Sequence, residues 1–224
     1  MQEISHSPVD NSYKPLLKKI PLFAGLTEIH LDQLARVAVF RKVLRNKTIV
    51  HVGASTDSLF VIVNGSAKVL NRDVEGNEVI LTFLAAGECF GEMGLIDGSP
   101  RSADVVANEN CELLEISKSD FAKVLAGNVD LCLNIMKSLV LRLREANRKI
   151  ESLALMDVYG RVAKLLLDLS ELENGMRVIR RKVTKQDMAK MVGASREMVS
   201  RVMKDLETSG YIRVEEGRIV LAED

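Results

Sequence analysis

The string F-G-E-M-G-L-I-D-G-S-P-R-S-A, from Phe90 to Ala103, gathers residue types that together could hold an anion. Its three glycines mark backbone held in unusual φ/ψ or approached closely by another group. Gly91-Glu92 is followed, nine residues after the glutamate, by Arg101-Ser102. Free backbone N–H groups, a guanidinium and a hydroxyl can together receive one phosphate. The carboxylate of Glu92 repels such an anion, so it is expected to face a ribose and accept from its 2′-hydroxyl. The competing reading of the same residues is an Arg–Glu pair that stabilises a turn.

A second constellation runs from Thr184 to Ile212. Thr184 with Asp187 makes an [ST]-x-x-[DE] capping box that opens a short helix with Met188, Ala189 and Val192 on its inward face. Gly193 supplies a turn, and Ser195 caps a second helix whose buried positions are Val199, Val202, Met203 and Leu206. Two short helices joined by a glycine turn form the unit that lays its second helix in the major groove of DNA. Gly210 ends that helix, and Tyr211 to Val214 with Arg218 to Leu221, around Glu216-Gly217, read as a β-hairpin wing. Arg196, Glu197, Ser200 and Arg201 project opposite the apolar stripe. Arg can donate twice to guanine, and Glu can accept from cytosine N4. Ser195, Thr184 and Lys185 sit where helix N-termini and hydroxyls grip phosphates. On an isolated surface helix an Arg–Glu pair is usually only solvated charge; the surrounding motif favours base reading.

The elements that must carry these groups follow from pattern. Tyr13 to Val37 reads as short helices around Pro21, the second capped by Thr27 with Leu31, Leu34, Ala35 and Ala38 at helical spacing. From Val39 to Ser117 short apolar runs alternate with turns, and glycines fall at 53, 65, 76, 87 and 98, in steps of 12, 11, 11 and 11. That spacing predicts an antiparallel β-sandwich or barrel. Its clearest strands are Leu59 to Val63, Ser66 to Asn71, Glu78 to Phe83 and Glu112 to Ile116, with a hairpin turn at Glu75-Gly76-Asn77. Ser117 to Ala126 reads as a short capped helix. Asn128 to Leu155 then lacks Gly and Pro, and Val129, Leu133, Met136, Val140, Leu143, Asn147, Ile150 and Ala154 alternate at four and three. This is a heptad seam, and its single Asn suits a paired helix whose register it fixes. The alternative is one amphipathic helix lying on the β-domain. Asp157 to Leu172 reads as a further helix stopped by Asn174-Gly175, and Met176 to Val183 as a strand or extended arm.

The totals set bounds. A chain of 224 residues has room for two modest domains. Its 31 basic residues balance 31 acidic ones, so contact with nucleic acid must come from a local patch. Such a patch exists between Arg177 and Lys190, with six basic residues against Asp187 alone. Aromatics at 4% and no Trp argue against a base-stacking single-strand binder. Cys89, Cys111 and Cys132 are odd in number and lack metal-ligand spacing. Neither a secretory segment nor a membrane span is read, so the expectation is a reduced, cytoplasmic protein with structural thiols and no membrane partner. His6, His30 and His51 read as surface or turn residues.

The cassette from Phe90 to Ala103, the run from Ser152 to Ala163 and G-A-S-R-E-M-V-S-R from Gly193 to Arg201 resemble, in order, the bacterial cyclic AMP receptor protein family of the Crp/Fnr superfamily. The resemblance covers nearly all of the chain after Tyr13. It implies an α+β architecture: a mobile tail over 1–12, a jelly-roll-like cyclic-nucleotide-binding β-roll over 13–127, a dimerisation helix over 128–155 and a winged helix-turn-helix over 156–224. It implies that Gly91, Glu92, Met93, Arg101 and Ser102 hold cyclic phosphate and ribose, with apolar Val69 and Leu81 around the ligand. Arg196, Glu197 and Arg201 match base-reading positions, which implies a palindromic duplex with TGTGA-like half-sites, and Ser152 to Asp157 matches a hinge. A homodimer and RNA polymerase as a partner are implied too. Cyclic AMP is the favoured ligand, with cyclic GMP and cyclic di-GMP as alternatives. Members selective for cyclic AMP carry small hydroxyl residues late in the dimer helix, where this chain has Ala146-Asn147; the Asn147 amide can donate to and accept from a base.

Three function classes compete. They are a ligand-gated transcription regulator, a constitutive DNA-binding protein with a purely structural β-domain, and an enzyme. The last lacks a nucleophile–base pair, a metal set or a nucleotide-hydrolysing motif in the sequence. No metal, haem or iron–sulfur cluster is expected: the first cysteine is Cys89, and no His is placed as an axial ligand.

Overall fold

The computed structural model describes residues 14–126, 128–180, 183–215 and 218–222. The tail over 1–12, His6, the basic pair Arg181-Lys182 and the wing turn Glu216-Gly217 lie outside the described residues. The chain divides into two compact units, Met1–Leu143 and Arg144–Asp224.

The first unit opens with helix α1 (Lys14–Leu17), a 3-10 turn at Pro21–Phe23 and α2 (Glu28–Val37), which Thr27 caps by accepting from the His30 amide. Eight strands follow: β1 (Val39–Val43), β2 (Thr48–Val50), β3 (Ser58–Asn64), β4 (Ala67–Arg72), β5 (Glu78–Leu84), β6 (Cys89–Phe90), β7 (Asp104–Ala107) and β8 (Cys111–Ser117). A short helix α3 (Glu92–Asp97) separates β6 from β7, and α4 (Lys118–Leu125) follows β8. The strands form two antiparallel four-stranded sheets, ordered β1-β8-β3-β6 and β2-β7-β4-β5. All five glycines of the near-regular spacing have positive φ, between 76° and 88°, so each turn sits where a side chain would be strained.

Strand alternation assigns β3 to two cores at once. Phe60 and Ile62 join Val50, Leu84, Phe90, Val105 and Leu113 between the sheets. Leu59 and Val61 point the other way, into a layer with Leu31, Leu34, Leu114, Phe121, Leu131 and Ile135. A strand covered on both faces loses polar alternation, and Leu59 to Ile62 is a continuous apolar run for that reason.

Helix α5 (Val129–Leu155) begins in this unit, and Asn128 caps it by accepting from the Leu131 amide at 2.9 Å. The same side chain's Nδ2 lies 3.0 Å from His30 Nδ1, so His30 is a partly buried bridging residue rather than a free surface one. Leu131 and Ile135 face the β-roll, yet all eight seam residues are exposed, the large aliphatic ones by between 43% and 71%. One stripe of the helix packs and a second stripe is left without cover. The two readings of this helix therefore describe different faces of it.

The second unit holds the end of α5, then α6 (Val158–Leu169), β9 (Glu171–Glu173), β10 (Met176–Ile179), α7 (Lys185–Val192), α8 (Arg196–Thr208), β11 (Ile212–Glu215) and β12 (Arg218–Leu221). The helix expected to reach Leu172 stops at Leu169 instead. Asn174 (φ 49°) and Gly175 (φ 86°) form a two-residue hairpin turn, and that turn pulls Glu171–Glu173 into register with Met176–Val178. The arm expected to reach Val183 is strand only to Ile179. The sheet runs β11-β12-β10-β9, and Ile179, Ile212 and Leu221 cover a core built from Val162, Leu166, Met188, Val192, Val199 and Leu206.

Candidate ligand and nucleic-acid sites

In the first unit the ends of β3, β6 and β7 converge on the cassette. Phe60 and Phe90 stack with ring centroids 5.2 Å apart, and the Arg101 guanidinium lies 5.8 Å from the Phe60 ring centre. Gly91 has φ 88°, and a Cβ there would collide with Arg101 Nη1; only glycine fits. Arg101 is 8% exposed and donates to Gly91 O at 3.0 Å and Ser58 O at 2.7 Å. Among the described residues it makes no ion pair. Burial pushes its guanidinium below the ordinary arginine value, with the charges of Asp57, Glu115 and Glu92 opposing. A buried cation that carbonyl dipoles and a ring face hold, and that carboxylates reach only from beyond ion-pair distance, has an electrostatic deficit that an anion would fill.

The loop that carries Arg101 is clamped. Gly53 N donates to Arg101 O at 2.8 Å, Arg101 N donates to Ala54 O at 2.9 Å, and Thr56 Oγ1 donates to Ser99 O at 3.0 Å. The guanidinium is thus set by main-chain contacts on both sides. Ser102 is exposed, with no hydrogen bond from its hydroxyl among the described residues. Met93 is 48% exposed, whereas its neighbours Glu92 and Gly94 are buried. Val69 lies between Thr82 on β5 and Val105 on β7. The register shifts between Val69 and Leu70, so Leu81 is the extra residue of a β-bulge; it is 40% exposed, and Val79, two residues before it, is 41% exposed.

Sequence reasoning missed Arg142. This residue of α5 forms an ion pair with Glu92 and donates from Nη2 to Cys89 O at 2.9 Å. The other carboxylate oxygen of Glu92 is buried and has no hydrogen-bond partner among the described residues. Glu92 therefore offers one free acceptor, as a ribose hydroxyl requires. Arg142 lies off the seam, on the face that carries Leu131 and Ile135. A cation on a packed face needs a counter-charge, and that was the available signal. Cys89 beside it is 8% exposed; burial, with the nearby Glu92 charge, pushes its thiol up to about 12.

The second site is built on α7 and α8. Thr184 Oγ1 accepts from Asp187 N at 3.0 Å and donates to Asp187 Oδ2 at 2.7 Å, so the capping box forms and already uses the hydroxyl proton. Gly193 closes α7 at φ 63°. Ser195 Oγ accepts from Met198 N at 3.2 Å, which starts α8. Val199, Val202, Met203 and Leu206 are buried as the stripe requires. Arg196, Glu197 and Arg201 are exposed and, among the described residues, make no ion pair or side-chain hydrogen bond. Lys185 and Ser195 are exposed nearby, and Ser200 is half-buried. Asn147 is exposed on α5 in the second unit.

Comparison with known proteins places each unit in a family. The cyclic nucleotide-binding domain family matches residues 40–128, and the Crp-like helix-turn-helix domain family matches residues 160–223. The chain is 38% identical over 195 residues to the cAMP-activated global transcriptional regulator Vfr of Pseudomonas aeruginosa, covering 83% of this chain and 90% of that one. It is 37% identical over 181 residues to the cAMP-activated global transcriptional regulator CRP of Pasteurella multocida, covering 78% and 85%. Among solved structures, the c-di-GMP responsive global regulator CLP of Xanthomonas campestris superposes with a TM-score of 0.73 at 26% identity, over 88% of this chain and 100% of that one. The chain belongs to the Crp/Fnr family of transcription regulators.

Proposed function

We propose that the protein is a homodimeric, ligand-gated regulator that works in the cytoplasm, binding a cyclic nucleotide in its β-roll and a palindromic duplex through its two winged units. The observation that carries the ligand reading is the buried Arg101 guanidinium, held by two carbonyls and unpaired with any carboxylate among the described residues. A cyclic phosphate supplies the missing charge, with Ser102 donating its hydroxyl and the Gly91–Glu92 backbone alongside. The free oxygen of Glu92 accepts from the ribose, with Val69 and Leu81 lining the base side. Cyclic AMP is favoured because Vfr and CRP, the relatives at 38% and 37% identity, are cAMP-activated.

On the DNA side, Arg196, Glu197 and Arg201 read base edges of TGTGA-like half-sites about 34 Å apart, while Ser195, Ser200 and Lys185 position the helix on phosphates and Thr184, its proton held by Asp187, acts through the capping box that starts α7. The exposed seam from Val129 to Ala154 pairs with its copy, and RNA polymerase is the partner through which DNA binding acts. Ligand shifts the dimer between two states only by binding one of them more tightly.

A second reading has its own support. Ala146-Asn147 replaces the hydroxyl residues expected for cyclic AMP, and CLP is c-di-GMP responsive. Calorimetric titration with cyclic AMP, cyclic GMP and cyclic di-GMP decides between them. Cyclic AMP is expected to bind at one site per protomer and tightest of the three. Tighter cyclic di-GMP binding would favour the second reading, and no heat from any of them would remove the cyclic-nucleotide role.

A further inference from the structure

Helix α8 contains two methionines with opposite fates. Met203 is 5% exposed and belongs to the apolar stripe with Val199, Val202 and Leu206. Met198 is 47% exposed and lies outside that stripe, about 100° around the helix from Val199. Its amide donates to the Ser195 cap, so it is the third residue of the helix, in the turn that leads into the groove in helix-turn-helix proteins. Glu197 precedes it and Arg201 stands one turn on, both with unpaired side chains among the described residues. Scattered apolar residues on a surface need no explanation. An apolar one bracketed by base-reading charges is different, because it cannot use the hydrogen-bonding edges its neighbours use.

The major groove offers such a side chain one apolar feature, the C5-methyl of thymine. A thioether on a flexible, unbranched stem adapts well to an irregular apolar contact. We infer that Met198 is a specificity-determining residue that packs against a thymine methyl in each half-site. The inference rests on α8 being the groove-reading helix, as proposed above.

Deoxyuridine tests it, since it removes the methyl and leaves every pairing and groove hydrogen-bonding group in place. Full-length protein saturated with cyclic AMP is titrated with a palindromic duplex of two TGTGA half-sites. Thymines are replaced one position at a time, and a scrambled duplex serves as reference. One thymine position should matter: uracil there weakens wild-type binding about fourfold per half-site, the worth of one buried methyl. Met198→Ala should bind thymine and uracil duplexes alike at that position while discriminating at guanine positions as the wild type does. Met198→Leu should keep the preference. Equal wild-type affinity for every uracil duplex, or an undiminished uracil penalty in Met198→Ala, overturns the inference. A wild type that does not prefer the palindrome to the scrambled duplex overturns the groove-reading role of α8, and Met198's role with it.

Discussion

Arg101→Ala is expected to abolish the response to cyclic nucleotide, weakening affinity roughly a hundredfold or more. Removing one partner of a buried ion pair costs about 3–5 kcal/mol, because the other charge stays buried and unanswered. Arg101 is placed for that role: nearly closed to solvent, forked between Gly91 O and Ser58 O, and anchored through its own N–H and C=O to the loop at Gly53–Ala54. Calorimetry reads the affinity, and a thermal shift gives a second readout, since a ligand that binds the native state raises the melting temperature. Arg101→Lys should fall between the two, because it keeps a charge and loses the fork. Unchanged affinity in Arg101→Ala would move the phosphate elsewhere.

Val140→Glu is expected to convert the dimer into monomers and to cut operator affinity by two orders of magnitude or more. Val140 sits mid-seam between Met136 and Leu143, on a face of α5 that the chain's own β-roll leaves exposed. Pairing two such helices would bring a glutamate against its own copy, desolvated and like-charged, which is strongly unfavourable. Loss of the dimer separates two half-site contacts that otherwise benefit from high effective concentration. Light scattering at micromolar protein and a gel-shift titration measure the two effects. Leu141→Glu, off the seam and more exposed than Val140, is the control that should remain dimeric. A dimeric Val140→Glu would place the contact on another surface.

Much of this architecture is legible without coordinates, for identifiable physical reasons. The glycine spacing shows because each turn needs positive φ. The capping box at Thr184 and the stripe from Val199 to Leu206 show because helix ends and helix faces leave local signatures. What fails to show is structure imposed from a distance. Strand β6 is only Cys89 and Phe90, and it is a strand because β3 lies beside it. Glu171 to Glu173 consists of good helix formers and becomes a strand because the Asn174-Gly175 turn folds it onto β10. Within the cassette, Glu92 to Asp97 coils into α3 between two αL glycines, Gly91 and Gly98, an element that the glycine content did not announce. Arg142 could not be assigned a partner from local pattern, since Glu92 is fifty residues away.

The burial of Cys89 has a consequence in alkali. An unfolded thiol releases its proton near 9, whereas this one holds it to about 12. Between those values the unfolded chain binds fewer protons than the folded one, so unfolding is increasingly favoured as hydroxide rises. Below that window the contribution is fully present. Urea midpoints should therefore fall across it, and Cys89→Ala should flatten the slope, making one hidden sulfur a determinant of how basic a solution the regulator survives.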